Sequence, residues 1–355
     1  MKIPSFNRIA HIGIEVLDIY TMELFYRKIG FVPIYRYVSR NTSGLRTVML
    51  EKELCILELL KRHDNSITTK RDIFHISFKS NNIKSDFDRL KELKVDNLKP
   101  IRETGDGFLE FSFTDPEGNL IEVSQRKNKP PSYSIEAVIF DLDGTLIDSE
   151  ENYYEADRRL LKEYGIDFTL EMKKEYIGSG NLEMMRKIKR LYKINDTVET
   201  LLRKKNSYYI EIARKNTRVY PEMLKFLKLL KKSNYPLAVA SGSSPEILEE
   251  LLTITGLKEY FSAIVSAEDV QRGKPAPDIF LESARSLNIP PENCVVIEDS
   301  QYGVEAAKRA FMYCIAIPYI IDKPLPDSFI MSDLLFENGT KSFKALQALH
   351  WIKQF

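Results

Sequence analysis

Apolar and polar residues alternate in short runs along the first third of the chain, and this pattern changes near residue 130. His11-Ile-Gly-Ile14 and His75-Ile-Ser-Phe78 read as half-buried strands. Cys55-Ile-Leu-Glu-Leu59 and Leu120-Ile-Glu-Val123 read as strands that carry a carboxylate, Glu58 and Glu122. The intervening spacing predicts helices over Ile19–Lys28 and Ile83–Leu93, and Asp115-Pro-Glu-Gly118 predicts a tight turn. His11 and His75 are 64 residues apart, and so are Glu58 and Glu122, which marks a duplicated supersecondary unit.

Beyond residue 134 the apolar runs lose their alternation. Ile135–Phe140, Pro236–Ala240 and Cys294–Ile297 read as buried strands of an open parallel sheet, with Tyr313–Ile317 and Asp333–Phe336 as closing strands and Lys341–Lys353 as a terminal helix. A polar insertion, about 150–220, shows helical spacing over Leu182–Leu191 and Val198–Ile212. Between the halves, Gln125 to Ser134 is polar, basic and stiffened by two prolines, hence a semi-rigid linker. The expected organisation is a domain over 1–127, a linker over 128–134 and a domain over 135–355.

The strongest chemical signal is Asp141-Leu-Asp143-Gly144, two acids where a strand breaks into a glycine turn. Ligands of open parallel sheets sit at the carboxyl ends of the strands. There one carboxylate attacks phosphorus while sharing a hard cation with the phosphate, and the other gives and takes a proton. Ser241-Gly242-Ser243 ends the second strand with a hydroxyl and open N–H groups suited to a phosphate. Lys274, before a proline, offers a fixed positive charge, and Glu298-Asp299 ends the third strand with two further acids for the cation.

Asp141 to Ser149, Ser241, Lys274 and Glu298-Asp299 resemble, in order, the four motifs of the haloacid dehalogenase-like hydrolases. Lys274-Pro-Ala-Pro-Asp-Ile-Phe280 and Val296-Ile-Glu-Asp-Ser-Gln-Tyr-Gly303 are phrases of its β-phosphoglucomutase and sugar-phosphate phosphatase branch. The resemblance implies a Rossmann-like α/β core with a helical cap over about 150–220. It makes Asp141 the nucleophile and Asp143 the general acid and base. It assigns the phosphoryl group to Ser241, Gly242 and Lys274, and Mg2+ to Asp141, the Asp143 main-chain carbonyl, Glu298 and Asp299. In the cap, Gly178 and Asn181 fall in a substrate loop, and Asn181 stands where mutases carry an arginine for a second phosphate. Thr145 matches the phosphatases. Both features favour hydrolysis of a small phosphate monoester over the alternative, a phosphomutase.

Two histidines and two glutamates in register, out of four histidines in the chain, point to one divalent metal. The front domain resembles the vicinal oxygen chelate superfamily, the glyoxalase I and bleomycin-resistance fold, through Phe25-Tyr26, Gly30-Phe31 and Asp115 to Glu122. That implies paired βαβββ modules and places a transition metal such as Ni, Zn, Co or Mn on His11, Glu58, His75 and Glu122. It further implies ligands drawn from two chains, and so a homodimer through this domain. Glu15 and Arg62 replace the arginine and asparagine that hold glutathione in glyoxalase I, which argues against that substrate. The domain is then a metal-dependent isomerase or lyase, or a binding module without catalysis.

Lys plus Arg total 52 against 51 Asp plus Glu, a net charge of +1, so the sequence advertises neither nucleic-acid nor anionic-membrane binding. The basic runs Arg203–Lys205 and Lys228–Lys232 read as solvated helix faces. Cys55, Cys294 and Cys314 read as reduced core residues of a cytoplasmic protein, and neither a signal peptide nor a membrane span is expected.

Overall fold

The computed structural model describes residues 4, 6, 8–39, 42–62, 74–129, 133–174, 176 and 181–355. Of the expected linker, 130–132 lie outside these residues, as does Gly178 of the expected cap loop. The chain divides into two compact units, Met1–Ser132 and Tyr133–Phe355.

The first unit is a duplicated module. It runs β1 (Arg8–Glu15), α1 (Ile19–Lys28), β2 (Val32–Val38), β3 (Arg46–Lys52) and β4 (Cys55–Lys61). It then repeats as β5 (Phe74–Lys79), α2 (Ile83–Glu92), β6 (Arg102–Glu103), β7 (Phe108–Thr114) and β8 (Leu120–Arg126). The eight strands form one sheet in the order β2-β3-β4-β1-β5-β8-β7-β6, the halves joined by the antiparallel β1–β5 pair. Successive side chains face opposite sides of a strand, so Leu57 and Leu59 are buried on one side of β4 while Glu58 faces the other. The sheet curls until its edges meet: the Tyr35 hydroxyl on β2 donates to Asp106 Oδ2 in the β6–β7 loop, at 3.2 Å. Ile83 and Leu90 of α2 pack on Phe111 and Val123 across the outside of the second module.

The second unit has a six-stranded sheet, ordered β13-β12-β9-β14-β15-β16 and parallel throughout. Its core strands are β9 (Ala137–Phe140), β12 (Leu237–Ser241), β13 (Ala263–Ser266), β14 (Cys294–Glu298), β15 (Tyr313–Ala316) and β16 (Leu334–Leu335). A short ribbon of β10 (Ile147–Asp148) and β11 (Arg218–Val219) brackets the helical insertion of α3 (Glu150–Lys162), α4 (Leu170–Lys174), α5 (Asn181–Tyr192) and α6 (Val198–Asn216). The remaining helices are α7 (Pro221–Lys232), α8 (Pro245–Ile254), α9 (Asp278–Leu287), α10 (Gln301–Arg309) and α11 (Ala345–Ile352). The insertion has its own apolar core, including Leu160, Phe168, Met185, Ile188 and Leu201, so it is a folded subdomain rather than a long loop.

Chain order runs outward from β9 to β13, then returns beside β9 at β14 and runs the other way. Connections therefore diverge on either side of β9, leaving a crevice at its carboxyl end. β9, β12 and β14 are buried along their whole length, which explains their continuous apolar runs. Two expectations shift. The terminal helix spans Ala345–Ile352, and Cys55 is exposed, being the first residue of β4 beside the fully exposed Leu54.

Candidate functional site

Asp141 follows β9 directly, and Glu298 ends β14, the neighbouring strand. The buried Lys274 Nζ lies 2.5 Å from Asp141 Oδ1 and 2.6 Å from Glu298 Oε1, so one cation ties the two strand ends together. Burial opposes charge on Lys274, but Asp141 and Glu298 raise its pKa above the ordinary lysine value and keep it protonated. Glu298 Oε2 also accepts from the Ser300 N–H at 2.6 Å, and Asp299 Oδ1 accepts from the Thr145 hydroxyl at 3.1 Å.

Carboxylate oxygens of Asp141, Glu298 and Asp299 lie within 4.8 Å of one another, all on buried residues. Burial, with repulsion from Glu298 and Asp143 and against the pull of Lys274, pushes Asp141 to about 8. Burial and the charges of Glu298 and Asp141 push Asp299 well above the carboxylate range. Three buried acids and one lysine leave negative charge uncompensated, and an all-oxygen donor set of this kind fits a hard divalent cation.

Asp143 is held differently. Ser149 donates to Oδ1 at 2.6 Å, while Ser241 and Ser243 both donate to Oδ2 at 3.2 Å. Its side chain stands apart from the clustered oxygens, so any share in holding a cation falls to its main-chain carbonyl. Burial raises its pKa against these hydroxyl contacts, which suits a group that carries a proton. Ser243 also meets the Tyr153 hydroxyl of α3 at 2.6 Å, linking Asp143 to the insertion. Gly242 borders open space, where an added Cβ would meet nothing within 4 Å.

Two glycines are fixed by these acids. Gly144 turns the chain at φ +82°, and a Cβ there would lie 2.4 Å from Asp299 Oδ2; one at Gly303 would lie 1.7 Å from Glu298 Oε1. Ser243 and Gly303 stand within the quoted motifs, but what they do there shows only in space: Ser243 meets Asp143 100 residues away, and Gly303 makes room for Glu298, while Tyr153, which meets Ser243 from 90 residues away, lies outside the motifs.

In the insertion, Lys205 is a correction: it is fully buried rather than on a solvated face. Its Nζ pairs with Asp157 Oδ1 at 2.6 Å and donates to Asn181 Oδ1 at 2.9 Å, while Lys173 takes the other Asp157 oxygen at 3.1 Å.

The front unit brings its four residues together as well. His11 (β1), Glu58 (β4), His75 (β5) and Glu122 (β8) sit on the four central strands. The two imidazole Nε2 atoms are 3.1 Å apart, Glu58 Oε2 lies 3.2 Å and 3.3 Å from them, and Glu122 Oε1 is 3.7 Å from His11. Burial lowers the His11 pKa, but the facing Glu58, Glu122 and Glu110 carboxylates raise it further than burial lowers it. Burial works against the Glu58 charge, yet both imidazoles hold that carboxyl below its usual range. His11, His75 and Glu122 bring ligand atoms within 4.8 Å of one another and Glu58 adjoins both imidazoles, a two-nitrogen, two-carboxylate set that fits a borderline divalent transition metal. All four come from one chain, whereas the resemblance implied two.

Gly13 is the residue the sequence reading missed. It lies opposite His75 in the β1–β5 pair, and a Cβ there would sit 1.7 Å from His75 Cε1. Only a bare backbone lets the ring cross β1 to reach His11. The odd residues Glu15 and Arg62 turn out to face each other, Arg62 Nε donating to Glu15 Oε2 at 3.3 Å. They satisfy one another at the rim. Among the described residues no helix is long and apolar enough to cross a membrane.

A phosphorylated carbohydrates phosphatase of Thermotoga maritima is 34% identical over 180 residues, covering 50% of this chain and 82% of the relative. The fructose-1-phosphate phosphatase YqaB of Escherichia coli is 34% identical over 177 residues, 49% of this chain and 92% of the relative. The crystal structure of CbbY from Rhodobacter sphaeroides in complex with phosphate matches at TM-score 0.54 and 28% identity, over 58% of this chain and 95% of that one. The glyoxalase/bleomycin resistance protein/dioxygenase superfamily model matches residues 8–123. With the haloacid dehalogenase-like hydrolase model matching residues 138–317, half of the chain, and the parallel sheet presenting its acids at adjoining strand ends, the chain belongs to the haloacid dehalogenase-like hydrolases and carries a glyoxalase-like domain in front.

Proposed function

We propose that the second unit is a Mg2+-dependent phosphatase that hydrolyses a small phosphate monoester, a sugar phosphate, through an aspartyl phosphate on Asp141. The observation that carries this reading is Lys274, held at 2.5 Å from Asp141 and 2.6 Å from Glu298, with Asp143 kept apart on three hydroxyls. Nucleophile and proton carrier thus have separate environments, as their separate tasks require. The phosphatases named above act on phosphorylated carbohydrates and on fructose 1-phosphate, which supports a sugar phosphate here.

Bound by Asp141, the Asp143 carbonyl, Glu298 and Asp299, Mg2+ supplies the positive charge that lets these acids stay ionised beside a phosphate. Lys274, Ser241 and the Gly242 N–H hold the phosphoryl oxygens. A carboxylate oxygen of Asp141 attacks phosphorus as the ester P–O bond breaks, and Asp143 gives its proton to the departing alkoxide. Water then attacks the aspartyl phosphate and passes its proton to Asp143. Asp141 leaves as a carboxylate, and inorganic phosphate is released. Asn181 and Thr145 favour this course over phosphomutase chemistry. Phosphate release from a panel of phosphorylated metabolites, with product identification, tests it. Isomeric sugar phosphate appearing faster than inorganic phosphate overturns it.

For the first unit we propose a transition-metal site on His11, Glu58, His75 and Glu122, serving an isomerase or lyase reaction. Its support is the convergence of all four residues within one chain, which needs no dimer for completion. Three free cysteines support a reducing, cytoplasmic setting.

A further inference from the structure

Glu150 opens α3 where the chain leaves the core for the insertion, and the chemistry above gives it no task. Its carboxylate makes no hydrogen bond or ion pair with the described residues. The residue before it, Ser149, donates to Asp143 Oδ1 at 2.6 Å, which sets the start of α3 beside the phosphate site, and the charges acting on Glu150 are Asp143 and Asp299 on the core side and Lys173, Lys205 and Asp157 on the insertion side. The two lysines are already engaged with Asp157, and Lys205 also occupies the Asn181 carbonyl oxygen. Among the described residues, Glu150 therefore offers a ligand an unpaired acceptor, and Asn181 an amide donor. Lys173 and Lys205 share the one carboxylate of Asp157, and only the charge of Glu150 brings this cluster to balance, so with Glu150 in place neither lysine is free for a second anionic group.

An unpaired carboxylate at the edge of a buried site strongly prefers a hydroxyl donor to an anion. A hydroxyl satisfies it with a charge-assisted hydrogen bond, whereas a second phosphate or a carboxylate meets like charge where little water remains to screen it. Resting on the phosphatase reading, we infer that Glu150 determines specificity: it accepts hydrogen bonds from the hydroxyls of a neutral polyol phosphate and turns away esters whose remainder is anionic. The substrate class is then a hexose or pentose monophosphate with free hydroxyls, and neither a bisphosphate nor a phosphorylated hydroxy acid.

The test compares wild type with Glu150→Gln and Glu150→Asp in Mg2+, reading phosphate release from three substrate groups. These are a set of hexose and pentose monophosphates, phosphoglycolate and fructose 1,6-bisphosphate. Wild type should favour the best neutral monophosphate in kcat/KM over both others. Removing the charge should shift that preference by about 10- to 100-fold, the range for losing a hydrogen bond to a charged group. The shift should appear chiefly as a raised KM for the monophosphate and a lowered KM for phosphoglycolate, while Glu150→Asp should keep the wild-type order. Wild type favouring phosphoglycolate or the bisphosphate overturns the inference whether or not the variants fold. So does a Gln variant, with unchanged thermal midpoint, that scales all three groups by one factor. In both cases the phosphatase reading survives. Release from none of the esters by wild type overturns that reading and this inference together.

Discussion

The two sites of this chain collect acids in opposite ways. In the second unit, Asp141 and Glu298-Asp299 stand at the ends of adjacent parallel strands, where the backbone has already turned into loops. In the first, His11, Glu58, His75 and Glu122 project from within four strands onto the inside of a curled sheet. Strand ends open into loops where a substrate has room, and the donors there are all oxygen. A sheet interior fixes donors more rigidly, and duplication supplies them in symmetric pairs, here one imidazole and one carboxylate from each module. The all-oxygen set suits the hard-cation phosphoryl chemistry proposed for the second unit, and the mixed nitrogen and oxygen set suits the transition metal proposed for the first.

The largest effect should come from Asp141→Asn, which keeps the shape but removes the nucleophile. Phosphate release should fall by about 10⁴-fold or more, with the metal content of the first unit unchanged in elemental analysis. Asp143→Asn should cost about 10²- to 10⁴-fold, the usual range for losing a general acid and base. It should spare the nucleophilic step for substrates with good leaving groups, which a series of aryl phosphates would show.

The contrast sharpens when the front site is disturbed. His11→Ala with Glu122→Ala should remove most of the transition metal. Gly13→Ala, which drives a methyl into the His75 ring, should weaken metal affinity by about 10- to 100-fold although it deletes no ligand. Titration with a chromogenic chelator would read both; unchanged affinity in Gly13→Ala contradicts the placement of His75. Affinity should also fall as pH drops, beginning above the ordinary histidine range because the His11 pKa is raised, since proton and metal compete for the same nitrogen.

A subtler difference lies in protons. Asp141, near 8, and Asp299, higher still than an ordinary carboxyl, bind protons in the folded, metal-free protein that the unfolded chain has released above about pH 4. Raised carboxyl values mean that stability falls as pH rises through this window. Chelated protein should therefore lose thermal stability between about pH 4 and 8, and saturating Mg2+ should flatten the slope. Mg2+ binding at pH 7 should release about one to two protons, measurable as a buffer-dependent binding heat. No proton release would mean that the acids are already ionised.

Much of this was legible in the sequence because the informative residues lie next to strands. Continuous apolar runs ending in Asp141, Ser241 and Glu298 announce buried parallel strands with chemistry at their tips, and the 64-residue offset pairs His11 with His75 before any sheet is drawn. What stayed hidden depends on contacts between distant segments. Lys205 looks like one of three solvated basic residues until Asp157 and Asn181 are brought around it. Gly13 looks like any strand glycine until antiparallel pairing sets His75 opposite. Cys55 differs because an apolar run does not show where the strand begins, and Cys55 is the first residue of β4 after an exposed turn.

The most direct test of the account is phosphate release in Mg2+ by three proteins side by side: wild type, Asp141→Asn, and His11→Ala with Glu122→Ala, each offered the same panel of sugar phosphates. Wild type and the double variant should release phosphate at the same rate, and Asp141→Asn essentially none. Turnover by Asp141→Asn near the wild-type rate, or loss of turnover in the double variant, would contradict it.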